Sequence, residues 1–328
     1  MQRTATDLQS SEPQSRVPQS SERPPRWLDA LSREEIQDLV KHRDLRSWGS
    51  IALNWGLVFA SMALVAYWPN PLTVIVALFV IGSRQLGFAI LMHDAAHRAL
   101  FSNRKLNDWA GNWLCAYPVW TDLEPYRPYH LRHHAKNYTV EDPDLGLVTP
   151  FPVTRASLKR KIIRDLTGQT GWKRVKATLR RDLGLSKGNQ ARTFGGVKNL
   201  RGVAVTNAVL FGILWLAGHP WLYLLWVVAW MTTFQLVTRI RAIAEHALAP
   251  DPADPLRNTR TTLASWWERL LIAPNYVNYH LEHHLLMTVP HYNLPRLHRM
   301  LRDRGVLDGA WIARGYFGVL REASSKPA

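Results

Sequence analysis

Ser47–Ser83 reads SWGSIALNWGLVFASMALVAYWPNPLTVIVALFVIGS, 37 residues without a lysine, arginine, aspartate or glutamate. A helix that crosses a bilayer needs about 17–25 mostly apolar residues. The run is too long for one crossing and just long enough for two joined by a tight turn, and it breaks near its middle at Trp68-Pro69-Asn70-Pro71. Gly202–Thr238 is a second charge-free run of 37 residues, broken at Gly218-His219-Pro220. The pattern predicts an all-α integral membrane protein with four transmembrane helices in two hairpins, about residues 47–92 and 202–245. Helices of a soluble core rarely go so long without a charge.

The mean hydropathy of −0.18 averages over these two runs and a basic remainder. Arg98–Arg201 carries 20 lysines and arginines, both terminal segments are basic, and the two hairpin turns carry none. By the positive-inside rule both termini and the large middle region lie in the cytoplasm and the turns outside. The formal net charge of +16 partly reflects this pattern. It also suits anionic lipid head groups or an acidic partner protein. Nucleic acid is a poor partner for it, because the basic residues flank membrane spans and no binding motif accompanies them.

Residues 1–25 are rich in Ser, Pro and Gln and are expected to be a disordered tail. Residues 26–46 contain a capping box, Ser32-Arg33-Glu34-Glu35, before an amphipathic lead-in helix. The remainder, 47–328, forms the membrane domain, with a cytosolic helical cap from 93–201 and 246–328. Within it Leu106–Trp120 is aromatic and too short to span, and suits a helix in the interface. The charged helical stretch Leu158–Arg181 reads as a solvated face. Cys115 is the lone cysteine, so no internal disulfide forms. The N-terminus lacks the apolar core of a cleaved signal peptide.

The chemistry sits in histidines. His93 and His97, then His130, His133 and His134, then His280, His283 and His284 form the boxes H-x3-H, H-x2-H-H and H-x2-H-H, and His246 stands alone before the third. Residues three or four apart share a helix face, so each box aims its imidazoles to one side. The apolar periodicity of helices 2 and 4 continues past Arg84 and Arg239, carrying His93 and His246 beyond the membrane edge at similar heights. Nine convergent nitrogens exceed what one metal uses and suggest two. Imidazole suits iron, zinc, copper and nickel alike, but catalytic zinc usually takes three protein ligands, so a dinuclear iron site fits better. Asp94, Asp142, Asp144, Glu245 and Glu282 are close enough in sequence to accept the second ring N–H of the ligands. His42, His219, His291 and His298 look ordinary.

In HDAAH (His93–His97), HLRHH (His130–His134) and NYHLEHHLL (Asn278–Leu286) the chain resembles the integral-membrane fatty acid desaturases, whose relatives include membrane hydroxylases and carotenoid ketolases. The likeness covers roughly residues 45 to 300. It implies a cytosolic cap over four membrane helices, two iron ions held by these nine histidines, and O2 as co-substrate. It further implies oxidation of a lipid or fatty acyl chain, with electrons from a separate ferredoxin- or cytochrome b5-type donor and its reductase. His219-Pro220-Trp221 is not the His-Pro-Gly-Gly signature of a fused cytochrome b5 domain. Desaturation is the expected reaction. Hydroxylation or ketolation of a lipid or terpenoid is the close alternative, and a histidine-bound zinc membrane hydrolase the distant one.

Overall fold

The computed structural model describes residues 27–185 and 196–327, so the expected tail over 1–25 lies outside the described residues. The capping box forms as the sequence predicts: the Ser32 hydroxyl accepts from the Glu35 amide at 3.2 Å, and the Ser32 amide donates to the Glu35 carboxylate at 2.8 Å. The helix it starts, α1 (Arg33–Val40), is short and separate from α2 (Asp44–Tyr67). Its Leu39 packs with Leu281, Leu285, Leu297 and Leu301, which ties the lead-in to the region of the third histidine box.

Helix α2 runs out to the Trp68 turn, and α3 (Pro71–Ala96) returns. Asn70 starts the return: its Oδ1 accepts from the amides of Leu72 and Thr73 at 3.0 and 3.1 Å, and Pro71 occupies the first helical position. The short α4 (Arg104–Ala110) continues into a π-helical and a 3-10 turn ending at Val119, across the aromatic stretch expected at the interface. Then come α5 (Leu123–Lys136), α6 (Leu145–Val148), α7 (Arg155–Leu166), α8 (Gln169–Asp182) and α9 (Gly196–Leu216). The second hairpin returns as α10 (Tyr223–Met231) and α11 (Thr233–His246). The remaining chain forms α12 (Trp266–Leu271), α13 (His280–Leu285), α14 (Leu294–Asp303) and α15 (Tyr316–Ala323).

Four of these helical runs, 44–67, 71–96, 197–216 and 220–246, are long and apolar enough to cross a membrane. Their outer faces leave large apolar side chains uncovered, among them Leu72, Trp215, Leu216 and Leu224, as lipid-facing helices do. Each apolar run folds back on itself, and the ends of α3 and α11 come together at the histidines.

Two features depart from the sequence reading. The chain is mostly rather than wholly helical: β1 (Thr261–Leu263) and β2 (Ile312–Arg314) pair in parallel, Thr261 opposite Ile312. The segments are only three residues long, and their β-branched residues suit a strand. The fourth of these helical runs is also broken, at Thr232. Thr232 Oγ1 donates back to the Val228 carbonyl at 2.6 Å, and Thr233 Oγ1 donates to the Leu78 carbonyl of α3 at 2.6 Å. Such back-bonding bends helices.

The centre of the bundle is α3, buried at every position from Ile81 to Ala96 except Ala89. It approaches α11 at Gly82, where a Cβ would lie 2.2 Å from Thr233 Oγ1 and 2.8 Å from the Phe234 amide nitrogen. Gly82→Ala is therefore expected to cost about 1–3 kcal/mol through overpacking, read as a lower melting temperature in detergent. Gly56→Ala, with nothing within 4 Å of its Cβ, should leave it unchanged or raised.

Candidate metal centre

The nine box and pre-box histidines come together where the ends of α3 and α11 meet α5 and α13. They form two groups, and within each group one ring nitrogen per residue lies within 4.8 Å of the others. One group is His93, His97, His130, His134 and His283; the other is His133, His246, His280 and His284. Helical geometry explains this division. Each residue turns about 100°, so the i, i+4 pair His130/His134 stays within about 40° while His133 points away from His134 by about 100°. The same holds for His280/His284 and His283. Each H-x2-H-H box thus gives a pair to one group and a single ring to the other, reciprocally. His93 and His97 complete the first group and His246 the second. The groups adjoin, with the His134 and His284 rings stacked at 4.2 Å.

The donor set suits metal ions. His130 and His134 bring their Nε2 atoms to 2.9 Å, His134 and His283 to 3.0 Å, His246 and His280 to 3.0 Å, and His133 and His246 to 3.2 Å. A metal–imidazole bond of about 2.0–2.1 Å puts nitrogens at right angles about 2.9 Å apart. Both ring nitrogens of His97 and the Nε2 atoms of His93 and His284 are buried without a hydrogen-bond partner, a cost that a ligand would relieve. Burial pushes the His97 ring down to about 3, and holds those of His130, His134, His280, His283 and His284 well below the ordinary histidine range. These six rings are therefore held neutral, as metal ligation requires.

Among the five candidate carboxylates, Asp142 makes the direct contact: its Oδ1 accepts from His133 Nδ1 at 2.9 Å, which leaves Nε2 as the free lone pair facing the second group. Asp144 stands 3.8 Å from the same nitrogen and accepts instead from the Tyr129 hydroxyl at 2.5 Å. Glu245 lies 3.5 Å from His280 Nδ1 and pairs with Arg241 at 2.5 Å. Asp94 lies 3.6 Å from His93 Nδ1. Glu282 turns away from the boxes and meets Thr261 and His298.

Two histidines that looked ordinary are part of this scaffold. His291 donates from Nδ1 to Asp94 at 2.6 Å, and His298 contacts Glu282 at 2.6 Å. His291 and Asp94 are 197 residues apart, beyond the reach of any spacing rule. His42 contacts the Arg98 carbonyl at 2.9 Å. His219 is exposed in the opposite hairpin turn, up to about 40 Å of helix from His246. His219→Ala should leave product formation within about twofold of wild type, measured in the same membranes.

A cavity of about 480 Å³ opens beside the first group. His93 is among its lining residues, with Leu86, Ile90 and Phe234 on the apolar part and Gln235, Thr238, Asp144 and four arginines on the polar part. Three arginines are matched: Arg239 to Asp165, Arg241 to Glu245 and Arg181 to Asp182. Asp165 belongs to the charged stretch read as a solvated face and Asp182 follows it directly, so α7 and α8 also build this wall. Arg174 has no carboxylate partner among the described residues. It reaches Gln235 Oε1 at 3.3 Å and lies over the Phe234 ring.

The family model described as fatty acid desaturase matches residues 66–314, which spans all three boxes and His246. The chain belongs to the fatty acid desaturase family. As a desaturase-family protein it is an oxidoreductase. It is similar to the dihydrorhizobitoxine desaturase of Bradyrhizobium elkanii, 28% identical over 84% of this chain and 81% of that one. It is similar to the chloroplastic omega-6 fatty acid desaturase of Brassica napus, 27% identical over 84% of this chain, and spans 65% of that relative's length. The sn-1 oleoyl-lipid 12-desaturase of a Synechocystis species is 23% identical over 82% of both chains.

Proposed function

We propose that this desaturase-family protein uses two iron ions and O2 to introduce a double bond into an acyl chain lying in the cavity beside His93. The observation that carries this reading is the division of nine histidines into two adjoining groups, with a cavity lined by a member of one of them. His93, His97, His130, His134 and His283 would hold one iron, and His133, His246, His280 and His284 the other. The irons, when bound, supply the oxidising power that removes hydrogen from an unactivated methylene. In the overall balance, two hydrogens leave neighbouring carbons and O2 becomes two waters, with two further electrons from a separate donor protein of the ferredoxin or cytochrome b5 type and two protons from solvent.

The protein's own part is placement. Asp142 keeps the His133 proton on Nδ1, so that Nε2 faces inward. Leu86, Ile90 and Phe234 exclude water from the chain and set which carbon stops beside His93. Arg174 and Gln235 suit the polar end of the substrate. Basic flanks on the charge-free runs support a cytoplasmic site and cytoplasmic termini.

A second reading is favoured by the polar wall of the cavity. Arg174, which has no carboxylate partner among the described residues, and Gln235 and Thr238 also suit a smaller anionic substrate, and the Bradyrhizobium elkanii relative is named for dihydrorhizobitoxine rather than for a fatty acid. Mass spectrometry of lipids and polar metabolites, with and without expression, separates the readings. Acyl chains lighter by two hydrogens are expected. Oxygenated products alone would make the protein a hydroxylase or ketolase, and a small unsaturated acid would move it to the second reading.

A further inference from the structure

On the other side of α3, away from the cavity at His93, lies a groove of about 750 Å³ between α2, α3 and α12. Three arginines line it, Arg46, Arg84 and Arg269, and among the described residues no aspartate or glutamate does. Arg46 and Arg84 are the residues that bracket the charge-free run Ser47–Ser83. The fold brings both to one place, at the height where the first hairpin leaves its apolar layer. Arg84 is 4% exposed; it donates to the Leu270 carbonyl at 2.5 Å and to Ser83 Oγ at 2.9 Å, yet its Nε is buried with no partner. A buried guanidinium N–H without an acceptor is costly, and an arriving anion would remove that cost. Arg46 and Arg269 are exposed, and Arg46 sits over the Tyr292 ring.

The rest of the wall is apolar and faces outward. Leu53 is 57% exposed and Trp266 72%, with Leu57 beside them. Tryptophan at that height is what a membrane interface favours. The groove therefore offers cations at one level and an apolar strip at the next, which matches the sequence of groups in a phospholipid.

We infer that this groove binds the phosphate head group of an anionic membrane phospholipid, with an acyl chain laid along Leu53 and Leu57. The inference rests on the first hairpin crossing the membrane and is independent of the metal chemistry. Groove and metal centre share a wall: His291 lines the groove, contacts Ser50 at 2.8 Å and donates to Asp94 behind it.

The test uses the full-length, metal-loaded protein in neutral detergent. Binding of phosphatidylglycerol, phosphatidylcholine and inorganic phosphate is followed by native mass spectrometry and thermal shift. Wild type should prefer phosphatidylglycerol over phosphatidylcholine, and Arg46→Gln with Arg269→Gln should weaken it about fivefold per arginine. Arg269→Glu alone, at an exposed position, should cost at least as much and serves if the double variant does not fold. Metal content and product formation, read in the same preparations, report separately on the proposed reaction. Equal affinity of wild type for the two lipids would overturn the inference, as would unchanged preference in the variants. Inorganic phosphate displacing the lipid head group completely would assign the groove to a soluble anion instead.

Discussion

His283→Ala should abolish product formation while leaving the protein in the membrane. Its Nε2 stands 3.0 Å from that of His134, and its ring lies 4.4 Å from that of His93, so it joins α13 to the group built on α3 and α5. Alanine there removes one nitrogen of five and opens a buried space in their midst. Loss of a partner that merely orients a ligand costs about 10–100-fold, and loss of a ligand should exceed that, so activity below about 1% of wild type is expected. His133→Ala should do the same from the other group. The two variants should differ in which metal they lose, because each box divides its rings between the groups. Product yield and metal per chain, measured on membrane-extracted protein, check both. Near-normal turnover in either variant would remove that histidine from the site.

Asp142→Ala is expected to lower turnover about 10–100-fold without removing a ligand. Burial opposes the charge on Asp142, but the His133 ring and the amides of Asp144 and Tyr138 outweigh it and hold the carboxyl below its ordinary value. The carboxylate is thus fixed by two backbone donors before it meets His133. Without it, Asp144 at 3.8 Å is too far to hold the imidazole proton on Nδ1 by a hydrogen bond, and either nitrogen can face the group. Asp142→Asn should fall between, since its amide oxygen can still accept from Nδ1 without the charge. If Asp142→Asn and Asp142→Ala both match wild type in turnover and metal content, the ring is oriented by other contacts.

The two hairpins were readable because a 37-residue window without charge admits few interpretations. That the histidines would converge was readable from their spacing, and their division into five and four follows from the helical turn within each box. What sequence could not give are partners distant along the chain. Asp94 lies next to His93 but turns to His291, and Glu282 sits inside the third box yet serves Thr261 and His298. Local spacing assigns a carboxylate to its nearest histidine; packing of residues 291–303 against α3 and α13 decides otherwise. The break at Thr232 had a signal in the Thr232-Thr233 pair, since two adjacent hydroxyls in an apolar helix compete for its carbonyls. The small β1–β2 sheet had none, because three-residue strands carry no measurable alternation. Arg84 marked a membrane boundary in the sequence, whereas the fold buries it against the Leu270 carbonyl.

X-ray absorption together with metal counting on active, full-length protein tests the central claim most directly. Two irons per chain, each in a shell dominated by imidazole nitrogen, with one lost or displaced in His133→Ala and in His283→Ala, is the expected result. A single metal ion per fully active chain, or full activity with zinc as the bound metal, would contradict it.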